Sequence, residues 1–306
     1  MRKRKLGNSD LYVTEIGLGC MSLGTDETKA ASIISAAVDE GINYFDTADL
    51  YDFGQNEIIV GQALKSVRDQ VVIATKVGNR WNESKDSWSW DASGSYIKTA
   101  VKDSLRRLGT DYIDLYQLHG GTIEDNISET IGAFEDLIKE GYIRYYGISS
   151  IRPNVIKQYA ERSSIVSNMM QYSLLDRRPE EWIPLLEENH ISLIARGPVA
   201  KGLLSDRWFD KAAGSVKENG YLDYSYQELS ELLHAIQDKL SPRHMNETAL
   251  QYILSHQAVG AVIPGASSVE QLRENCAAVS SEPLSSQEIE LLKQLAKTTV
   301  YEAHRN

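Results

Sequence analysis

Eight times along this 306-residue chain, a short apolar run rich in β-branched or aromatic residues stands near a segment with a 3.6-residue apolar stripe. The runs are Glu15–Leu18, Tyr44–Asp46, Val71–Lys76, Ile113–Leu118, Ile143–Ile148, Val166–Met169, Ser192–Ala195 and Ala261–Ile263. The stripes lie in Thr28–Glu40, Glu57–Lys65, Tyr96–Leu108, Ser128–Lys139, Pro153–Glu161, Pro179–Glu188, Glu247–Ser255 and Val269–Val279. Gly41, Gly109 and Gly141 stand just behind three of the stripes, where the residue after a helix often takes left-handed backbone. Alternating βα units imply parallel strands with right-handed crossovers. Eight of them predict an α/β fold, a (β/α)8 barrel of the TIM type. Three segments fall outside this count. Lys3–Thr14 reads as an N-terminal β-hairpin, Ser205–Leu240 as a long insertion with its own helix near Ser225–Lys239, and Ser286–Lys297 as a trailing helix. The extra helices and long loops belong at the C-terminal face. No low-complexity stretch, charge block or Pro/Ser linker divides the sequence, so 1–306 reads as a single barrel domain.

Composition narrows the partners. The chain is 42% hydrophobic and 25% charged, which is ordinary globular usage. Its 32 basic and 43 acidic residues leave a net charge of −11, which disfavours nucleic acid and anionic membrane surfaces. No run of 18 apolar residues reads as a membrane span, and polar residues from Asn8 to Glu15 break the apolar stretch that a signal peptide needs. Cys20 and Cys276 stand far apart and outside any metal-ligand spacing, so no metal site is expected and a reducing cytoplasm is the inferred compartment.

Gly17-Leu18-Gly19-Cys20-Met21-Ser22 follows a strand and precedes a helix, with Asp39 downstream, and so imitates a dinucleotide-binding fingerprint. The third glycine is missing, because Ser22 stands there. The alternative is a glycine-rich βα loop at the top of a barrel, where backbone approaches a ligand closely. In a barrel, residues at the C-terminal ends of strands converge on one site. Here those residues are Asp46, Tyr51 just beyond it, Lys76 and His119. A phenol is a weak acid at neutral pH, and a neighbouring ammonium stabilises its phenolate. A buried lysine needs an opposite charge, which Asp46 supplies. His119 can hydrogen-bond a substrate oxygen or relay a proton. The set suits proton donation to a carbonyl that becomes an alcohol. Each residue alone has a plain structural explanation, but three successive strand ends carry the set.

The stretch DEGINYFDTADLYDFGQNEIIVGQAL (Asp39–Leu64) resembles the signature of the aldo-keto reductases. IATKVG (Ile73–Gly78), RRLGTDYIDLYQLH (Arg106–His119) and VIPGASSVEQLREN (Val262–Asn275) are similar to that family in order and spacing. The resemblance implies the barrel, reversible hydride transfer between a nicotinamide dinucleotide and a carbonyl, and a catalytic tetrad of Asp46, Tyr51, Lys76 and His119. It also implies a cofactor extended across the barrel mouth. Gly19, Cys20, Met21 and Asp46 would line its nicotinamide ribose side, with Ser149, Ser150 and Gln171 at the carboxamide. Arg196 would lie against the ring. Gly197, Pro198, Val199, Lys201, Gly202 and Leu203 would flank the pyrophosphate, and Gly265, Ser267, Ser268, Gln271, Glu274 and Asn275 would hold the adenosine end.

Three departures from the family pattern stand out. Ser149-Ser150 replaces the usual Ser-Asn, Arg196 replaces an aromatic residue, and Ala266, Ser267, Ser268 and Gln271 occupy positions where a lysine or arginine often binds a 2′-phosphate. The family still points to NADPH over NADH. Trp81, Trp88 and Trp90 crowd one polar loop and are expected to form an aromatic wall beside Tyr51 and Met21, with Trp81 and Trp88 as substrate contacts. The alternative is that they staple the loop to the barrel. Gly120-Gly121 is expected to leave room for substrate. The first functional expectation is an NADPH-dependent reductase of aldehydes or ketones. The second is a regulatory cofactor-binding module resembling potassium-channel β-subunits, with slow turnover.

Overall fold

The computed structural model describes residues 1–212 and 214–305. Strands β1 (Lys3–Lys5) and β2 (Tyr12–Thr14) pair antiparallel as the predicted hairpin. The barrel begins with β3 (Leu18–Gly19), β4 (Tyr44–Asp46) and β5 (Val72–Val77). A second antiparallel hairpin, β6 (Asn79–Trp81) with β7 (Trp88–Trp90), lies outside the barrel sheet. The barrel resumes with β8 (Ile113–Leu118), β9 (Ile143–Ile148), β10 (Ser167–Gln171), β11 (Ser192–Arg196) and β12 (Val259–Ile263). All neighbouring pairs of the barrel sheet are parallel. Parallel bridges Ile16–Val262 and Gly19–Gly265 bring the first strand to the last. The amides of Gly17 and Gly19 donate to Val262 and Pro264, at 2.9 and 3.2 Å.

Helices α1 (Glu27–Asp39), α2 (Gln55–Leu64), α3 (Gly94–Leu108), α4 (Ile127–Lys139), α5 (Pro153–Arg162) and α6 (Ile183–Glu188) follow successive strands. The insertion after β11 holds α7 (Trp208–Lys211), α8 (Gly214–Asn219) and α9 (Tyr226–Leu240); α10 (Met245–Leu254) leads into β12, and α11 (Val269–Ser280) and α12 (Ser286–Leu295) complete the order. Local chemistry sets their ends. Asp26 and Ser93 cap the first turns of α1 and α3, and Ser225 with Glu228 and Ser285 with Glu288 form capping boxes on α9 and α12. Gly41, Gly109 and Gly141 all take the left-handed backbone expected of them. Among the described residues no helix is long and apolar enough to cross a membrane.

Strand alternation splits the buried side chains into two layers. Those pointing outward meet the helices in the larger core. The inward set, Tyr44, Val72, Ala74, Leu115, Met169, Ile194, Ala261 and Ile263, packs with Leu6, Leu11 and Val13 of the N-terminal hairpin, which plugs one end of the barrel. Continuing the same alternation upward from this layer gives Asp46, Lys76, Gln117, Gln171 and Arg196 as the next inward positions.

Candidate active site

Lys76 is fully buried on β5 and Asp46, on β4, is 2% exposed. The Lys76 ammonium donates to Asp46 Oδ1 at 2.6 Å, to the Thr47 carbonyl at 2.6 Å and to the Tyr51 hydroxyl at 3.3 Å. Its three donors thus have three acceptors. Burial alone would pull Lys76 down, but Asp46 and Tyr51 outweigh it and hold it above the usual lysine range. Burial pushes Asp46 up, with Lys76 drawing it partly back. Asp46 Oδ2 also accepts from Gln117 Nε2 at 3.2 Å. Gln117 was not singled out from sequence, although it lies two residues before His119, on the same inward face of β8.

His119 stands edge-on to Tyr51, ring centroids 5.9 Å apart at 84°. Burial, followed by the charges of Lys76 and Arg196, pushes its imidazole down to about 3, so it is neutral at physiological pH. Its Nδ1 is buried without a hydrogen-bond partner. The four predicted residues therefore meet at one point: a charged lysine under a phenol, its counter-ion below, and a neutral imidazole beside it.

Around the mouth the expected residues are placed less uniformly. Gly19 is half-buried, Cys20 is fully buried and Met21 is 64% exposed. Burial raises the Cys20 thiol far above the usual range, which makes it inert as a nucleophile. Gln171 donates through Nε2 to Asp176 at 3.0 Å and accepts through Oε1 from Arg196 at 3.1 Å. Ser149 stands half-buried at the end of β9, whereas the Ser150 hydroxyl turns to the start of α5 and accepts from the Arg152 amide. In the loop after β11, Gly197, Ala200, Lys201 and Gly202 all have positive φ; Pro198 and Leu203 are buried, Val199 is half-buried and Lys201 is exposed. At α11, Gly265 sits so close to Ser22 that a Cβ would strike its hydroxyl. Ser268 caps the helix, Ser267 donates to Gln271 Oε1, and Glu274 is exposed. Asn275 is 5% exposed, and its buried Nδ2 has no partner. An unsatisfied amide at α11 and an exposed lysine in a left-handed loop fit a phosphate-bearing dinucleotide.

The tryptophans divide. Trp81 lies edge-on to Phe53, under the Arg107 guanidinium, and lines a hollow of about 410 Å3 with Asp49, Arg80, Asp91 and Tyr96. Trp88 is 55% exposed. Trp90 bonds Asp125 at 2.9 Å and covers Gly78 and Gly120, where an added Cβ would lie 2.6 and 3.2 Å from its ring. The room expected at Gly120-Gly121 is thus taken by Trp90 and by Val155, which a Cβ on Gly121 would meet at 2.9 Å. Sequence gave no sign of this, because the filling side chains come from distant segments.

A barrel with this proton-handling cluster at the C-terminal ends of its strands defines a class of nicotinamide-dependent oxidoreductases. The aldo/keto reductase family model matches residues 15–297, and the chain belongs to the aldo/keto reductase family, whose members carry out NAD(P)H-dependent carbonyl reduction. It is 60% identical over 306 residues to the uncharacterized oxidoreductase YqkF of Bacillus subtilis, covering all of both chains. It is 31% identical to the NADH-specific methylglyoxal reductase of Escherichia coli, covering 97% of this chain and 99% of that one. Among solved structures, the holo form of aldo-keto reductase AKR11C1 from Bacillus halodurans superposes with a TM-score of 0.95 at 58% identity, and the apo form with 0.87 at 55%, each over the full length of both chains.

Proposed function

We propose that the chain is an NADPH-dependent reductase of aldehydes or ketones in which Tyr51 donates the proton. The observation that carries this reading is the buried Lys76 ammonium held between Asp46 and the Tyr51 hydroxyl. The reduced nicotinamide, when bound, supplies the hydride. Tyr51 hydrogen-bonds the carbonyl oxygen and gives up its proton as negative charge grows there. Lys76 stabilises the phenolate left behind, and Asp46 keeps Lys76 protonated and aimed. Neutral His119 orients the carbonyl through a ring nitrogen. Ser149 and Gln171 would hold the carboxamide, and Lys201 with the loop from Gly197 to Leu203 would flank the pyrophosphate. Ser267, Ser268 and Gln271 would hydrogen-bond a 2′-phosphate without charge. Arg273, the nearest cation in sequence, is held by Glu40 at 3.3 Å on the surface. A neutral grip predicts only a modest preference for NADPH, because charge-assisted hydrogen bonds are roughly twice as strong as neutral ones.

Tyr51→Phe is expected to lower carbonyl reduction by about 10²–10⁴-fold, the usual worth of general acid catalysis, with NADPH affinity nearly unchanged. Turnover above about a tenth of wild type would remove Tyr51 from the acid role. Fluorescence titration with each cofactor tests the preference; equal dissociation constants, or tighter NADH, would overturn it. Steady NADPH consumption across a panel of aliphatic and aromatic aldehydes separates a reductase from a module that only holds its cofactor.

A further inference from the structure

Behind Tyr51 the backbone runs through three consecutive left-handed residues: Asp52 (φ 49°), Phe53 (φ 50°) and Gly54 (φ 87°). Residues that carry a Cβ hold this conformation only when their surroundings force it, and a bulky aromatic seldom does so. The groups packed around the turn centre on Arg107, near the end of α3. The Gly54 backbone lies against the Arg107 stem so closely that a Cβ would come 2.6 Å from Cδ and 2.9 Å from Nε. The guanidinium sits 5.2 Å over the Trp81 ring, and Trp81 meets the Phe53 ring edge-on at 6.2 Å. Arg107 Nε donates at 2.6 Å to Oε2 of Glu57, a fully buried carboxylate on α2, and Nη2 donates to Ser104 at 3.1 Å. Glu57 Oε1 accepts from Thr75, the residue before Lys76, at 2.6 Å.

We propose that Arg107 is a positioning residue, holding the left-handed turn that presents the Tyr51 hydroxyl to Lys76. One side of the Arg107–Glu57 pair supports the turn, through Gly54 and through Trp81 to Phe53. The other side ties α2 to the strand that carries Lys76. The guanidinium thus joins the two segments whose relative placement sets the distance between the phenol and the ammonium. Arg107 touches neither directly. A plain ion pair that only satisfied Glu57 would not need its stem under Gly54 or its plane over Trp81.

The inference rests on Tyr51 as the proton donor, and Tyr51→Phe serves as the control. Arg107→Met alone leaves a buried unpaired carboxylate and is expected to lose stability as well as activity. The double variant Glu57→Gln/Arg107→Met removes both charges, so its melting temperature is expected to recover above that of the single variant. Its kcat for aldehyde reduction should still be at least about tenfold below wild type, since small misplacements of a reacting group are costly. The NADPH dissociation constant should stay within about threefold, because none of the proposed cofactor contacts involves the turn. A double variant whose kcat lies within about tenfold of wild type would overturn the proposal, as would a raised KM with kcat retained. Full activity in Tyr51→Phe would instead strike the reading of Tyr51 and leave the role of Arg107 in the turn without a proton donor to place.

Discussion

His119 is imidazole in the fold but would titrate near pH 6.5 in an unfolded chain. Its folded value is pushed down to about 3, first by burial and then by Lys76 and Arg196. Between about pH 3 and 6.5 the unfolded chain therefore binds more protons than the folded one, and stability falls as pH drops through that window. Above about pH 6.5 the residue contributes no pH dependence. Urea titrations at several pH values should show a slope of at most about 1.4 kcal/mol per pH unit from this group, lost in His119→Gln. A second residue-scale prediction concerns Arg196. Its guanidinium donates to the Gln171 amide oxygen at 3.1 Å. Reduced nicotinamide is neutral and the oxidised ring is positive, so Arg196, which we propose lies against the ring, would disfavour the oxidised form. With solvent screening, about 1 kcal/mol should survive, a few-fold in dissociation constant. The ratio of NADP+ to NADPH dissociation constants should fall in Arg196→Tyr; an unchanged ratio removes this role.

The hairpin of β6 and β7 matters through one ring. Trp90 seals Gly78 and Gly120, next to the strand ends that carry Lys76 and His119. Gly78 has φ 125°, which a residue with a Cβ adopts only with strain. Gly78→Ala should cost about 1–3 kcal/mol for the backbone and a similar amount for overpacking against Trp90, read as a lowered melting temperature. It should also lower kcat, since Lys76 lies two residues away; unchanged stability would mean that the ring is free to move aside. Elements of this kind were not legible in the sequence. Each strand of the hairpin has three residues, too few for alternation to show, and Lys85 with φ 55° makes the turn without a glycine. The barrel strands were legible because each stands beside its own helical stripe: β4, β8 and β9 match their expected bounds residue for residue. Asp46, Tyr51, Lys76 and His119 were legible as strand-end residues, whereas Arg107 and Glu57 meet across 50 positions that no local period connects.

At the scale of the molecule, the N-terminal hairpin closes one end of the barrel and leaves the other for chemistry. Arg4 donates to the carbonyls of Leu254, His256 and Val259 and to Glu15, while Leu6, Leu11 and Val13 fill the interior. Leu11→Ala should cost about 2–5 kcal/mol by chemical denaturation with little change in KM, because its cavity opens at the end away from Tyr51. The seam of the barrel has a consequence for synthesis. Asp46, Tyr51, Lys76 and His119 all leave the ribosome before the chain reaches its midpoint, yet β3 finds its second neighbour only when Val262 and Gly265 emerge. Any parallel sheet formed before then is open, with unpaired edges of the kind on which other chains add. A chaperone that shields those edges until the last strand arrives would protect this protein more than one that acts on any single helix.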